Sequence, residues 1–513
     1  SFCTLLTHFM RALVVLALAA ALANAASISW TGYANDNQWT NKINWSPDTV
    51  PGPNDDVTIN SGNVLCTIAT GVNSLTMGTL VQSTANLTLF QAFAVGNGGM
   101  TVEENGNLII NTGTNMVFGQ VTVGGNLNFV DGLLGGSWTI APRASANLGN
   151  ANEKGFSAAT FVSQGQLSIG GVIVLNQSST ITLQSPTSAN SNLFIQNGDG
   201  SQVLFDASAA TFTFSTAVLQ VQAPVQFGKF VLQSGNVSIL DSLTFSQSLN
   251  IPANSYVSSA GTAALNISAG ATGAGVLTLA GTTSSLYDIS MSGYVNAVGG
   301  DVIFYTSSDV GVLTISGGNT VMQATVYPNQ LNLLSGTTSG NGMLQAASLL
   351  VDTKGLTLGS PATANKSATL MQSVLTFGPV GSLAISSGAT ATVTGQVMLT
   401  SGPNGKGVTN NGKIQVQAEL QLSNVPVMGS GSLDITSKVT AQSTQVTQGV
   451  VSLSSGASIS GQTTWVTLGE VKNSAGGVVK AKLGEYTFQC PGQCDHVVTP
   501  SSQIPPAPFS FSA

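Results

Sequence analysis

Asp288 in "LYDIS" and Asp309 in "SSDVG" stand 21 residues apart, with Asp301 between them. If the chain repeats at about that interval, the first two stack in neighbouring turns, and the three form the best acid/base set available for glycoside hydrolysis. The same residue type also closes turns, and the reading adopted is that each aspartate caps a strand. Glu103-Glu104 and Asp55-Asp56 are adjacent in sequence, so on a strand their side chains leave on opposite faces and form no dyad. The chain has two histidines, His8 and His496. The long stretch between them therefore has no imidazole for a nucleophile–histidine triad or a His-based metal centre. Arg143 is the only arginine after Arg11, which argues against recognition of polyuronates through arginine.

Three of the five tryptophans, Trp30, Trp39 and Trp45, crowd into "SWTGYANDNQWTNKINWSPDTVPGPNDDVTI". They suit three roles: a sugar-stacking platform, an aromatic cleft, or a plug over the end of a stacked structure. "VPGPNDD" breaks the chain just before the first repeat-like strand, "VTI", where a cap would hand over to the body. Capping is the reading adopted, with carbohydrate contact by Trp30, Trp39 and Trp45 as the alternative.

The elements that must position these residues show in composition and spacing. The 513-residue chain is 42% hydrophobic but 6% charged, against about 25% charged in ordinary soluble domains. Its polarity comes from Ser, Thr, Asn, Gln and 59 glycines, and its apolar content is enough for a large core. A net charge of −7 with scattered lysines excludes a nucleic-acid footprint, which needs clustered basic residues. A glycine followed by alternating aliphatic positions recurs: "GNLII" from Gly106, "GNLNF" from Gly125, "GQLSI" from Gly165, "GNVSI" from Gly235, "GVLTI" from Gly311, "GSLAI" from Gly381, "GKIQV" from Gly412 and "GSLDI" from Gly431. Several spacings fall near one or two times a unit of about 18–20 residues, as in solenoid repeats, but Gly165 to Gly235, Gly311 to Gly381 and Gly381 to Gly412 do not fit. Short period-two strands bounded by Gly, Asn and Ser turns cannot bury an apolar face alone; stacked coils bury one another. The expected fold is all-β, a right-handed parallel β-helix with a Trp-rich N-terminal cap, and tandem antiparallel β-sandwiches are the alternative.

The ends read differently. From Met10 the sequence "MRALVVLALAAALANAAS" has one basic residue, an apolar run from Ala12 to Ala23, and Ala23-Asn24-Ala25 for cleavage, the pattern of a secretory signal peptide. The mature terminus is then Ala26 or Ser27, and no later run reaches the length of a transmembrane helix. The expected organisation is 1–26 signal peptide with upstream extension, 27–62 cap, 63–485 β-helix, and 486–513 a Cys loop with a Pro/Ser-rich tail. Cys490 and Cys494 in "CPGQC" suit a small disulfide loop, and Cys66 a buried, inert thiol. No metal site or cofactor is expected. "NGDGSQVLFD", residues 197–206, loosely resembles a calcium loop and is read instead as a hairpin turn. Asn44, Asn86, Asn176, Asn236, Asn266 and Asn365 open N-glycosylation sequons.

Trp30-x-Gly32, Trp39, Asn44-Trp45, Pro51 and Asp56-Val57-x-Ile59 resemble a unit near the start of many secreted, repetitive β-solenoid surface proteins of bacteria and microbial eukaryotes, and the repeat style is similar to autotransporter passengers and pectin-lyase-like β-helices. The resemblance implies an extracellular structural or adhesive role, with glycans or other surface proteins as partners and self-association open. A carbohydrate-binding protein and a glycan-cleaving β-helix enzyme are the alternatives.

Overall fold

A computed structural model describes residues 26–479, except 150–151, 190–191, 200–201, 215–216, 354, 403–404, 455–456 and 474–477. The leader-like segment up to residue 25, Cys490, Cys494, His496 and the Pro/Ser tail lie outside the described residues. The protein is all-β, 67% strand and 1% helix, arranged as a parallel β-solenoid. It divides into two compact units, Ser1–Asn250 and Ile251–Ala513, within what the sequence presents as one repetitive body. Among the described residues no helix is long and apolar enough to cross a membrane.

In unit 1 each coil carries three short strand stretches, and each stretch pairs in parallel with its counterpart one coil on. Asn107 pairs with Asn126, which pairs with Ser145. Glu153 pairs with Val172, and Thr160 with Thr180, on the other two sides. The antiparallel pairing of Ser27–Trp30 with Trp45–Ser46 belongs to the cap. Tandem antiparallel sandwiches are therefore not what forms. Unit 2 repeats the arrangement: Tyr256 pairs with Val276, Ala264 with Thr283, and Ala271 with Ile289.

The alternation of the sequence becomes the wall of the coil. Thr180–Leu183, "TITL", and Lys413–Val416, "KIQV", both bury their second and fourth residues and expose part of the others. Within each unit, inward residues of successive coils meet in an apolar column. The recurring motif glycine has a steric cause: a Cβ on Gly125 would strike the carbonyl oxygens of Glu103 and Gly106, and one on Gly311 the carbonyl of Ser292. Coils stack so closely at that corner that no side chain fits.

The irregular motif spacings also resolve. Gly165 precedes Gln166–Ile169, which pairs with the strand at Thr187–Ala189. Gly235–Ile239 pairs with Ala217–Gln222, which pairs with Leu193–Asn197 on a different side. Gly381 and Gly412 likewise open strands on different sides, because Ser382 pairs with Gly407 while Lys413 pairs with Thr390. The same local motif serves any side of the coil, so its spacing is not the coil length.

Candidate functional site

The N-terminal segment folds onto the first coil through backbone pairing. Ile28 pairs with Val57 in parallel, Trp30 with Trp45 antiparallel, and Gln38 with Leu65 in an isolated bridge. These pairings bring the three tryptophans together. Trp30 is 9% exposed, Trp39 0% and Trp45 1%. Trp45 lies edge-on to Trp30 at 4.9 Å and to Trp39 at 4.8 Å, and Trp39 meets Phe93 of the body at 5.7 Å. Trp45 Nε1 donates to the Trp39 carbonyl at 2.8 Å. Trp39 Nε1 has no hydrogen-bond partner among the described residues, so its desolvation is offset by ring packing alone. A sugar platform needs exposed, roughly coplanar rings; these are buried and meet edge to face, alongside the buried Val57, Ile59 and Val64. The carbohydrate-contact role read for Trp30, Trp39 and Trp45 does not match this geometry. The sequence left it open because polar neighbours suggested a wet segment, whereas those neighbours fasten the cluster from outside.

Asp36 is the outer fastener. Its carboxylate accepts from Asn41 Nδ2 at 2.6 Å, Asn44 Nδ2 at 2.6 Å and the Gln38 N–H at 3.0 Å. These donors, Asn41 foremost, hold its carboxyl below the usual range. Asp55 accepts from the N–H groups of Gly52 and Ala26, and Asp56 from Asn73 Nδ2 and Ser74 Oγ. The adjacent acids thus join cap to body. Asn44, a sequon residue, is fully buried; its Oδ1 accepts from the Ala34 N–H and its Nδ2 also donates to the Gln38 carbonyl. A glycan does not fit there in the folded protein.

Asp288, Asp301 and Asp309 are all exposed, and Asp301 stands on a different side of the coil from Asp309. Asp288 sits at a corner with φ +48°, and its N–H donates to Thr306 Oγ1, one coil on. Asp309 lies three residues beyond Thr306, on the strand that pairs Asp309 with Ser290 and Tyr327. Asp301 belongs to another side of the coil, paired with Thr283 and Asn319, and accepts from Asn319 Nδ2 at 3.2 Å. The register sets Asp309 opposite Ser290, two residues past Asp288, so the Asp288 and Asp309 backbones stand on the order of 8 Å apart, with Asp288 at a corner and Asp309 on the strand. The expected one-coil stacking fails because the coil here, which runs from Thr283 to its partner Asp301, is shorter than the interval from Asp288 to Asp309.

The sequence reading missed the outward ladders. In unit 1 Asn86, Asn107 and Asn126 each donate from Nδ2 to the Oδ1 of the asparagine one coil earlier, at 2.7 Å, starting on Asn63. Ser145 closes the ladder on Asn126. On another side Thr58, Thr76, Thr101, Thr122 and Thr139 stand in register over five coils. Asn86 is a ladder rung with both amide atoms engaged. Of the other sequon residues, Asn236 and Asn365 are exposed, and Asn176 and Asn266 half-buried. The signal for the asparagine ladder was present in part, as Asn107 and Asn126 directly after the motif glycines Gly106 and Gly125.

Two buried titratable groups stand apart. Lys154 is 0% exposed, its Nζ donating to the carbonyls of Asn152 at 2.7 Å and Gly170 at 3.3 Å. Burial pushes its pKa down to about 8, with Asp131 opposing. Cys66 is buried and free, its thiol pushed up to about 12 by desolvation, as suits an inert residue. Residues 197–206 are not a hairpin. Their flanking strands each pair in parallel with the preceding coil rather than with each other, Leu193–Asn197 with Gly171–Asn176 and Leu204 with Thr180.

The chain matches no protein-family model, no curated protein and no solved structure.

Proposed function

We propose that the protein is a secreted, non-catalytic structural or adhesive component of a cell surface or extracellular matrix. The observation that carries this reading is the coil surface itself. In the first coils its outward positions carry a bonded asparagine ladder and an in-register threonine column, so a neutral polar surface continues from coil to coil there. Such a surface makes many weak contacts with a repetitive partner, a chemistry suited to adhesion. The autotransporter-passenger-like and pectin-lyase-like resemblance of the Trp unit and the leader-like segment from Met10 point the same way.

Protease shaving of intact cells, with mass spectrometry of the released material, tests it. The expected result is surface accessibility and a mature terminus at Ala26 or Ser27. Intracellular protein retaining residues 12–23 overturns it. Glycan-degrading activity that is lost in an Asp288→Asn/Asp309→Asn variant of unchanged fold favours the enzyme reading instead.

A further inference from the structure

Five of the seven tyrosines of the chain lie between residues 256 and 327, inside unit 2. Tyr287 and Tyr305 stack on each other across one coil, centroids 4.6 Å apart and planes within 7°. Tyr256 and Tyr294 are different. They are 51% and 52% exposed, and neither packs on another ring among the described residues. Register places them in one outward column: Tyr256 pairs with Val276, Val276 with Tyr294, and Tyr294 with Val312. At ~4.8 Å per coil the two tyrosines stand about 10 Å apart along the stacking direction, with a valine between them.

Two residues further along each strand runs a parallel polar column, Ser258, Thr278, Asn296, Thr314 and Asn332. Asn296 Nδ2 donates to Thr278 Oγ1 at 3.3 Å and Asn332 Nδ2 to Thr314 Oγ1 at 3.2 Å, which fixes the amides in place. This column lies about 7 Å to the side of the aromatic one. The two columns contain no charged residue, and from Ile251 to Thr353 the sequence has no Lys or Arg.

We infer that this strip binds an extended, neutral, β-linked glycan strand lying along the coil-stacking direction. An exposed tyrosine offers an apolar face with a polar tip, and the flat C–H face of an equatorially linked hexose is its natural partner. The gap between Tyr256 and Tyr294 is close to one disaccharide of such a strand, so alternate sugars stack on rings and the intervening one rests on Val276. The amide and hydroxyl column then meets the equatorial hydroxyls along one edge of the strand. A polyuronate or sulfated chain is disfavoured, because no cation stands on this stretch to offset its desolvated charge. The assignment rests on the extracellular reading above, since such a polymer meets the protein only outside the cell.

The test is depletion of the full chain from solution onto insoluble cellulose and chitin, with soluble polygalacturonate as competitor. Wild type is expected to bind at least one of the two polymers. Tyr256→Ala and Tyr294→Ala each weaken binding about three- to tenfold, and the double variant weakens it further. Tyr294→Phe keeps the ring and keeps binding, while Tyr33→Ala, an exposed tyrosine of the cap, changes nothing. Far-UV circular dichroism confirms that the variants fold. Wild type that stays in solution with both polymers, a double variant that binds as wild type does, or equal competition by polygalacturonate overturns the assignment. So does self-association abolished by the double variant without glycan binding, which makes a second copy the occupant. Surface-exposed protein that fails to bind sinks the strip alone; glycan binding by a protein retained inside the cell sinks the extracellular reading alone.

Discussion

The two units fill their cores by different means. In unit 1 Leu193 pairs with Leu219, and in unit 2 Ser382 pairs with Gly407, each a longer circuit than the one from Thr283 to Asp301. By Val225, which pairs with Leu243, the coil of unit 1 has shortened again. Unit 1 uses rings: Phe205, Phe212, Phe227, Phe230 and Phe245 form a connected cluster with centroids 4.8–6.3 Å apart. Unit 2 uses aliphatics, among them Leu383, Ala391, Val393, Leu399 and Val446, and leaves an apolar cavity of about 30 Å³. Coil length is set at the corners and core volume by the inward side chains. The two vary independently, and where they disagree a void remains.

The largest expected effect breaks the aromatic side of this comparison. Phe212→Ala should cost about 3–5 kcal/mol, because a buried ring leaves a cavity that its neighbours only partly close. Chemical denaturation measures the loss, and native-state hydrogen exchange should place it around residues 193–232. A cost below about 1 kcal/mol would mean that the core of unit 1 does not depend on its rings.

Next comes charge buried in unit 1. Lys154 is charged below pH 8 in both folded and unfolded chains, and there its burial is a standing cost. As pH rises from about 8 to about 10.5, the folded protein sheds the proton first and the unfolded chain keeps it, so stability should rise across that window. The span is up to about 3 kcal/mol. Cys66 acts in the opposite sense: its raised pKa keeps it protonated when folded, so its contribution falls as pH rises from the unfolded thiol value toward about 12. The difference between wild type and Lys154→Met isolates the lysine, and an identical pH profile in both would show that Lys154 is not desolvated.

Smaller effects sharpen the comparison at the surface and in the void. Asn107→Ala removes one rung bonded on both sides and should cost about 1–2 kcal/mol, at about 1 kcal/mol per hydrogen bond. Exchange of the amides near Asn86 and Asn126 should quicken while unit 2 is unaffected. Ala391→Val should stabilise unit 2 by about 0.7 kcal/mol, from a cavity of about 30 Å³ at roughly 24 cal/mol per Å³. Destabilisation there would mean that the void is unreachable from Ala391 without strain.

Much of the fold was legible because its unit is local. "TITL" and "KIQV" alternate with period two, and the glycine ahead of a strand marks a corner where coils touch. The tryptophan segment was legible as a cluster but not as a buried one. Its burial depends on Trp39 reaching Phe93, a residue far along the chain that no local pattern connects to it. The aspartate set was misplaced for a related reason. The interval from Asp288 to Asp309 looked like one coil, but the local coil closes sooner, from Thr283 to Asp301, and the slip carries Asp309 past Asp288.

By itself, then, the sequence determined the strand period, the neutral surface chemistry and the stacking of coils, because alternation and composition act residue by residue. Register was decided only in three dimensions. It sorted identical motifs onto different sides, set Asp301 on another side from Asp309, aligned the asparagines and threonines into ladders, and set Tyr256 and Tyr294 two coils apart on one strip. The physical reason is that a coil closes wherever its corners let the next backbone pair with the last. That closure is a property of the stacked chain, and no window of the sequence contains it.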